Sequence, residues 1–199
     1  GKNTVIKKLE RGIRELCKSS GVQMMEGAGS FLSSSRAVVD GPSGTQHMSF
    51  KRAVISTGGR HKPLPGIPFD GRLVISPDDA LDVDGDGIVI LGGGYAAMTL
   101  AALLDSQDKK FTMIYKGERL LPFLDEDIMR PAIKRLEGRG VKIYSASSWN
   151  VKKSGDRIQI DLDTGGKKVT VEAKKLVCDN GMVANTEGLG LENTLVKTG

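Results

Sequence analysis

Cysteine, histidine, tryptophan and long apolar runs are what this 199-residue sequence has least of. It holds two cysteines, two histidines and one tryptophan, and aromatic residues make up 5% of it. Cys17 and Cys178 are too few and too far apart for a disulfide scaffold or a zinc site. Two ordinary buried thiols in a reducing, cytoplasmic compartment are expected, and no metal. No apolar stretch reaches the ~18 residues of a bilayer span, which argues against a membrane protein. The net charge is +5, from 29 basic and 24 acidic residues. The densest basic stretch, Lys2, Lys7, Lys8, Arg11, Arg14 and Lys18, has no interleaved aromatics to stack on bases, so it reads as a solvated helix face and no nucleic-acid partner is expected. With 39% hydrophobic and 27% charged residues, the chain reads as soluble and globular, one domain or one and a half. The residue in excess is glycine: 26 in all, against an average usage of ~7%.

Residues 3 to 20 place Val5, Ile6, Leu9, Ile13, Leu16 and Cys17 at helical spacing, with Gly21 as a stop. Short strands are predicted at Val22 to Met25, Arg36 to Val39, Gln46 to Phe50 and Arg52 to Ile55, with a polar turn at 40–44, together forming a small antiparallel unit. Pro63, Pro65, Gly66 and Pro68 then mark an irregular crossing. A domain boundary is placed there, giving 1–66, 67–185 and a returning segment 186–199.

Beyond the boundary, strands and helices alternate. A helix start with proline is read at Ser76-Pro77-Asp78-Asp79. Gly87 to Leu91 is a continuous apolar run, as in a strand buried on both faces. Tyr95 to Leu104 reads as a helix, Phe111 to Tyr115 as a second buried strand, Asp125 to Leu136 as an amphipathic helix and Val141 to Tyr144 as a third strand. Arg157 to Leu162 and Lys168 to Val171 flank a turn at 163–166, a hairpin with one polar face, and Lys175 to Cys178 could rejoin the parallel sheet. The expected fold class is α/β: a Rossmann-like parallel sheet with helices on both faces and an antiparallel β-meander, preceded by a small unit of one helix and antiparallel strands.

The chemistry is concentrated in Leu91-Gly92-Gly93-Gly94-Tyr95-Ala96-Ala97, a G-x-G-x-x-A form of the dinucleotide fingerprint that follows a buried strand and opens a helix. Gly92 permits the tight turn, Gly94 a close approach of backbone to pyrophosphate, and Ala97 close packing of helix on strand, while the first N–H groups of the helix face the phosphates. The end of the next strand offers no acid to a ribose 2′-hydroxyl. It has Tyr115 and Lys116, and a cation there favours NADP over NAD. Glu118 and Arg119 close by keep NAD open.

These stretches resemble the middle of a flavoprotein disulfide reductase, the family that includes dihydrolipoamide dehydrogenase, glutathione reductase, mercuric reductase and the soluble pyridine nucleotide transhydrogenase. From Lys7 to Asn193, the resemblance is carried by Gly21-Val22, Gly27-Ala28-Gly29-Ser30-Phe31, Ile55-Ser56-Thr57-Gly58-Gly59-Arg60, Leu64-Pro65-Gly66, Ser76-Pro77-Asp78-Asp79-Ala80-Leu81, Gly92-Gly93-Gly94-Tyr95, Arg119-Leu120-Leu121-Pro122, Leu124-Asp125-Glu126-Asp127 and Asn185-Thr186-Glu187. The run from Asn180-Gly181 to Asn185-Thr186 is most similar to the transhydrogenase and Tyr115-Lys116-Gly117 to glutathione reductase, so the subfamily stays open. The resemblance implies that Gly92, Gly93, Gly94 and Ala97 hold the nicotinamide cofactor's pyrophosphate, that the Tyr95 ring covers the flavin face until the nicotinamide displaces it, and that Gly181 lies near the bound nucleotide. It also implies that Thr57 and Gly58 contact FAD and that Ala28 and Gly29 lie near its adenine.

Other family features have no counterpart in this sequence: the FAD fingerprint, the redox cysteine pair, the Gly-Asp flavin motif, and the dimerisation domain with its histidine. Gly1 stands where an initiator methionine would, and no leader follows it, so a segment of a longer, homodimeric protein is expected, with no catalytic residue of its own and no turnover by itself. Where the family has a glutamate that pairs with a lysine near the flavin, this sequence has Thr99. His47 and His61 read as surface side chains. The expected function is the nicotinamide-nucleotide-binding part of an FAD-dependent NAD(P)H oxidoreductase; the alternative is a stand-alone dinucleotide-binding or redox-sensing module without catalysis.

Overall fold

A computed structural model describes residues 2–83 and 85–198, and it divides them into two compact units. The first takes in the described residues up to Gly58 together with those from Asn185 onward, and the second runs from Gly59 to Ala184. These divisions differ from the predicted 66/67 and 185/186. Strand β4 (Gly59–His61) pairs antiparallel with a strand near the far end of the second unit, Met182–Ala184, and that pairing ties residues 59–61 to the second unit. The crossing is likewise not wholly irregular, since Leu64 and Ile67 form an isolated bridge around Pro65 and Gly66.

In the first unit, helix α1 (Lys2–Ser19) precedes a three-stranded antiparallel sheet of β1 (Ala28–Ser33), β2 (Arg36–Gly41) and β3 (Gly44–Ser49). The apolar stripe of α1 is present, but Val5, Leu9 and Leu16 are all exposed. Ion pairs one turn apart, Arg11 with Glu15 and Arg14 with Glu10, support the helix, and Arg14 also reaches Glu26.

Two predicted strands of this unit are not formed. Val22 to Met25 joins no sheet, and the first strand begins only at Ala28. A Cβ at Gly27 would lie 2.4 Å from the Asp40 carbonyl oxygen, and one at Gly41 would lie 2.1 Å from that of Glu26. The chain crosses the end of β2 so closely there that ladder pairing starts only after it. Residues 52–55 are also without regular structure, and Val54 is 91% exposed. With no neighbouring strand to take its N–H and C=O groups, an apolar run does not become a strand.

The second unit is built on a five-stranded parallel sheet in the order β5-β12-β6-β7-β8, where β5 is Val74–Ile75, β6 Ile88–Leu91, β7 Phe111–Tyr115, β8 Lys142–Ser145 and β12 Lys175–Cys178. The side chains of β6 alternate between two cores, as a period of two requires. Ile88 and Ile90 join Leu100, Leu104 and Leu136 from helices α2 (Tyr95–Ser106) and α3 (Glu126–Gly138). Val89 and Leu91 join Ile158, Ile160 and Leu162 of an antiparallel meander, β9 (Ser148–Ser154), β10 (Arg157–Thr164) and β11 (Lys167–Ala173). Both long helices of this unit thus cover one face, and the meander covers the other. The predicted hairpin is two of its three strands. The third, β9, has a weak strand signal because its sequence, SWNVKKS, carries only Trp149 and Val151 toward the core.

In place of the expected helix at 76–79 there is a 3-10 turn, Asp79–Asp82, and before it the Ser76 hydroxyl donates to the Asp79 carboxylate at 2.7 Å. Helices α2 and α3 are joined by the buried Asp105, which accepts a hydrogen bond from Arg135 at 3.0 Å and pairs with Arg139. The last strand, β13 (Met182–Ala184), closes the unit against β4.

Candidate functional site

The site is set by strand order. β12 and β7 flank β6, with Leu91 opposite Cys178 on one side and Ile114 on the other. The chain leaving β6 therefore turns beside the chain leaving β12. In a parallel sheet this is where a crevice opens beyond the carboxyl ends of the strands.

Glycine is obligatory in the turn for reasons internal to the chain. Gly92 has φ of 146°, and a Cβ there would lie 2.3 Å from the Asp179 carbonyl oxygen. At Gly93 a Cβ would press on Tyr115 and Leu120, at 3.0 and 3.1 Å, and at Gly94 it would lie 2.9 Å from Asp179 Oδ2. Gly94 is the N-cap of α2, in an extended conformation with no side chain to cap the helix. The first N–H groups of a helix have no partners within it. One of them, that of Ala97, donates to Asp179 Oδ2 at 2.9 Å. Ala97 itself is fully buried and allows α2 to lie close on the sheet.

Beside the turn is a cavity of about 670 Å³ lined by Gly94, Tyr95, Thr99, Phe123, Gly181 and Met182, among others. Its apolar wall includes the exposed rings of Tyr95 and Phe123. Thr99 faces this space with an exposed neutral side chain.

Of the predicted nucleotide residues, Gly94, Tyr95 and Gly181 come together in one cavity, with Gly92, Gly93 and Ala97 forming the turn behind it. Tyr115 and Lys116 sit at the end of the neighbouring strand β7 and do not line the cavity. Tyr115 is half-buried with its Cβ near Gly93, and Lys116 is exposed.

The predicted flavin residues belong to the first unit and divide in the same way. Gly29 and Thr57 line a second cavity of about 540 Å³, with Phe31, Phe50 and Ile55 in its wall, whereas Ala28 and Gly58 do not line it. Thr57 is held by a reciprocal pair of bonds. Its hydroxyl donates to the Asn185 carbonyl at 2.6 Å, and the Asn185 side-chain amide donates to the Thr57 carbonyl at 3.2 Å.

Asp179, Phe123 and His61 line this cavity and are not foreseen as site residues from sequence. Asp179 carries no motif of its own, and its position is legible only once β12 is known to lie beside β6. Phe123 reaches the cavity from the loop before α3. His61 corrects an expectation: its side chain is 7% exposed, not a surface group. Its Nδ1 is buried without a hydrogen-bond partner and its Nε2 lies 3.4 Å from Asp78 Oδ1. The β4–β13 pairing draws it inward. Cys178 precedes Asp179 as a fully buried thiol, pushed up to about 12 by desolvation against a small opposing pull from Lys153. Among the described residues no group of three or more His, Cys, Asp or Glu side chains could hold a metal ion, and no helix is long and apolar enough to cross a membrane.

The sequence pattern of the pyridine nucleotide-disulphide oxidoreductase family matches residues 2–199. A dihydrolipoyl dehydrogenase of Bacillus subtilis (strain 168) is 30% identical over 211 residues, which is 99% of this chain and 44% of that protein. A dihydrolipoyl dehydrogenase of Acholeplasma laidlawii is 32% identical over 201 residues, 96% of this chain and 57% of that one. Among solved structures, LpdA from Mycobacterium tuberculosis superposes with a TM-score of 0.78 at 25% identity, covering 98% of this chain and 44% of that chain. RclA from Escherichia coli, described as an HOCl-induced flavoprotein disulfide reductase, gives 0.76 at 21% identity and shares the fold. The chain spans 44% and 57% of the lengths of these two relatives, about half in each case.

Proposed function

This chain belongs to the pyridine nucleotide-disulphide oxidoreductase family, and on that footing we propose that its Gly59–Ala184 unit is the nicotinamide-nucleotide-binding part of an FAD-dependent NAD(P)H oxidoreductase of disulfide reductase or transhydrogenase type. The observation that carries this reading is the glycine turn between β6 and α2, at the carboxyl edge of a parallel sheet and open to a cavity walled by aromatic rings.

The chain's residues fit a dinucleotide in three respects. Side chains are absent from the turn where a pyrophosphate would approach, so the backbone of Gly93 and Gly94 and the N-terminus of α2 supply the donors. The rings of Tyr95 and Phe123 offer a flat apolar surface suited to a nicotinamide. Lys116, exposed at the end of β7, supplies a cation on the side where the second strand's end meets an adenosine ribose, which favours a 2′-phosphate. One group runs against the fit, the carboxylate of Asp179.

In the first unit, Gly29 and Thr57 at their shared cavity, with Ala28 and Gly58 beside them in sequence, are the residues proposed to contact FAD. Held by these two sets of residues, a nicotinamide dinucleotide and FAD would supply the capacity for hydride transfer. The roles of this chain's residues are to bind and orient: the turn for phosphate, the ring pair for the nicotinamide, and the Thr57–Asn185 bonds to hold a flavin-contacting segment in place.

Calorimetric titration of the full chain with NADPH and with NADH tests the reading. One-to-one binding is expected, tighter for NADPH, and Lys116→Ala is expected to remove the preference while leaving NADH affinity within about twofold. Absence of heat with both nucleotides, on folded protein, sinks the proposal.

A further inference from the structure

We infer that Asp179 sets how strongly the α2 turn takes a dinucleotide, because its carboxylate already stands where an anionic oxygen would be received. This inference rests on the nucleotide reading above and concerns the affinity of that same site.

Asp179 is the first residue beyond β12, and its backbone N–H donates to the Leu91 carbonyl at 2.9 Å, which holds it against the last residue of β6. Its Oδ2 accepts the Ala97 N–H at 2.9 Å and its Oδ1 accepts the Gly181 N–H at 3.3 Å. With Gly94 as N-cap, Ala97 is the third residue of α2, so its N–H is one of the donors that a helix leaves without an internal partner. Those donors, and the positive end of the helix dipole, are what phosphate groups use at such turns. The residue is 9% exposed, so water screens the charge poorly.

The position is not that of an ordinary cap. An N-cap acid comes from the residue just before the helix, whereas this one arrives from a strand 82 residues further along the chain. Helix α2 receives an anion from the end of the neighbouring strand β12, outside its own local sequence, as it would from a ligand. Two effects then oppose a bound pyrophosphate. One donor is already engaged, and a negative charge held at the helix end repels an incoming negative charge.

Two variants separate these effects. Asp179→Asn removes the charge and keeps an oxygen able to accept the Ala97 N–H. Asp179→Ala removes the charge and frees the donor. With NADH and NADPH as the probes in calorimetric titrations of the full chain, the expected result is at least about a tenfold tighter Kd for Asn and a larger gain for Ala. Thermal unfolding of the same proteins should show the Ala variant melting at a lower temperature than the parent, because it has lost the bonds to Ala97 and Gly181. Affinity rising while stability falls is a combination that a purely structural role cannot produce. If the parent binds and both variants bind equally or more weakly, the inference is overturned. If none of the three folded proteins gives heat with either nucleotide, the nucleotide reading itself fails.

Discussion

The Tyr95 ring rests against Phe123, with centroids 4.7 Å apart and planes tilted by 41°. Tyr95 is the first residue of α2, and Phe123 stands on a loop pinned to the glycine turn, where the Leu121 N–H donates to the Gly93 carbonyl at 2.9 Å. Leu121 adopts φ of 45° to make that bond, a left-handed conformation that costs a leucine about 1 kcal/mol. Both rings are more than half exposed, so their contact does little for the core and a good deal for the shape of the cavity wall.

Phe123→Ala is therefore expected to lower unfolding free energy by no more than about 1 kcal/mol, the scale of an exposed aromatic pair. It should weaken NADPH binding about threefold or more, through loss of apolar wall. Urea denaturation and calorimetry measure the two effects separately, and a large stability loss with unchanged affinity would reverse the assignment.

Gly92→Ala meets the Asp179 carbonyl oxygen at 2.3 Å and puts a side chain at φ of 146°. Both strands would have to shift, and a destabilisation of about 2 kcal/mol or more is expected. Gly117→Ala, also at positive φ but with open space around the new methyl, should cost about 1 kcal/mol. The ranking, read from denaturant midpoints, isolates the effect of close approach from that of backbone conformation.

Acid should weaken the second unit in a defined window. Asp161 accepts hydrogen bonds from Gln159, Lys152 and Thr170, which lower its carboxyl from the ordinary 3.8 to about 2. At Asp70, desolvation pushes the carboxyl up, but the hydrogen bond from Lys153 and those from the backbone N–H groups of Val74, Arg72 and Leu73 outweigh it and hold the group well below the carboxylate range. Folded-state values below the unfolded ones mean stability that is present above pH 3.8 and is lost as pH falls toward 2 and beyond. Asp161→Asn should flatten this part of the stability profile in urea titrations run from pH 5 to about 2.

Thiol chemistry should distinguish the two cysteines. Burial pushes Cys178 up to about 12 and leaves it no access to reagent, whereas Cys17 is half-buried on α1. A chromogenic disulfide at neutral pH is expected to label Cys17 in the native chain and Cys178 only after unfolding. Rapid native labelling at Cys178, located by peptide mass, would contradict the packing between β12 and the meander.

Strands and helices with their own internal signals are legible in the residues alone. The apolar runs of β6 and β7, the helical period of α1 and the glycines opening α2 state their conformations locally, because each needs only its own residues to satisfy sterics and period. The two-residue β5 and the polar β9 cannot be read this way, since they become strands by lending their edges to neighbours distant in sequence. The false strands at 22–25 and 52–55 are the converse: apolar residues that suit a strand, with no neighbour in place to pair with.

The candidate site divides along the same line. The order strand, glycine turn, helix, strand is written in residues 87–115, and with it comes the prediction of an anion-receiving helix end, since that property belongs to the local backbone. What the carboxyl edge of β6 faces is decided by the sheet order β5-β12-β6-β7-β8, which no local pattern contains. That order sets Asp179 against Gly92 and Ala97. The β4–β13 pairing likewise turns His61 inward, and the loop bond to Gly93 brings Phe123 over Tyr95. Each of these is a contact between chain segments whose free energy comes from burying surface and pairing backbone groups across the fold, and only the folded chain brings those segments together.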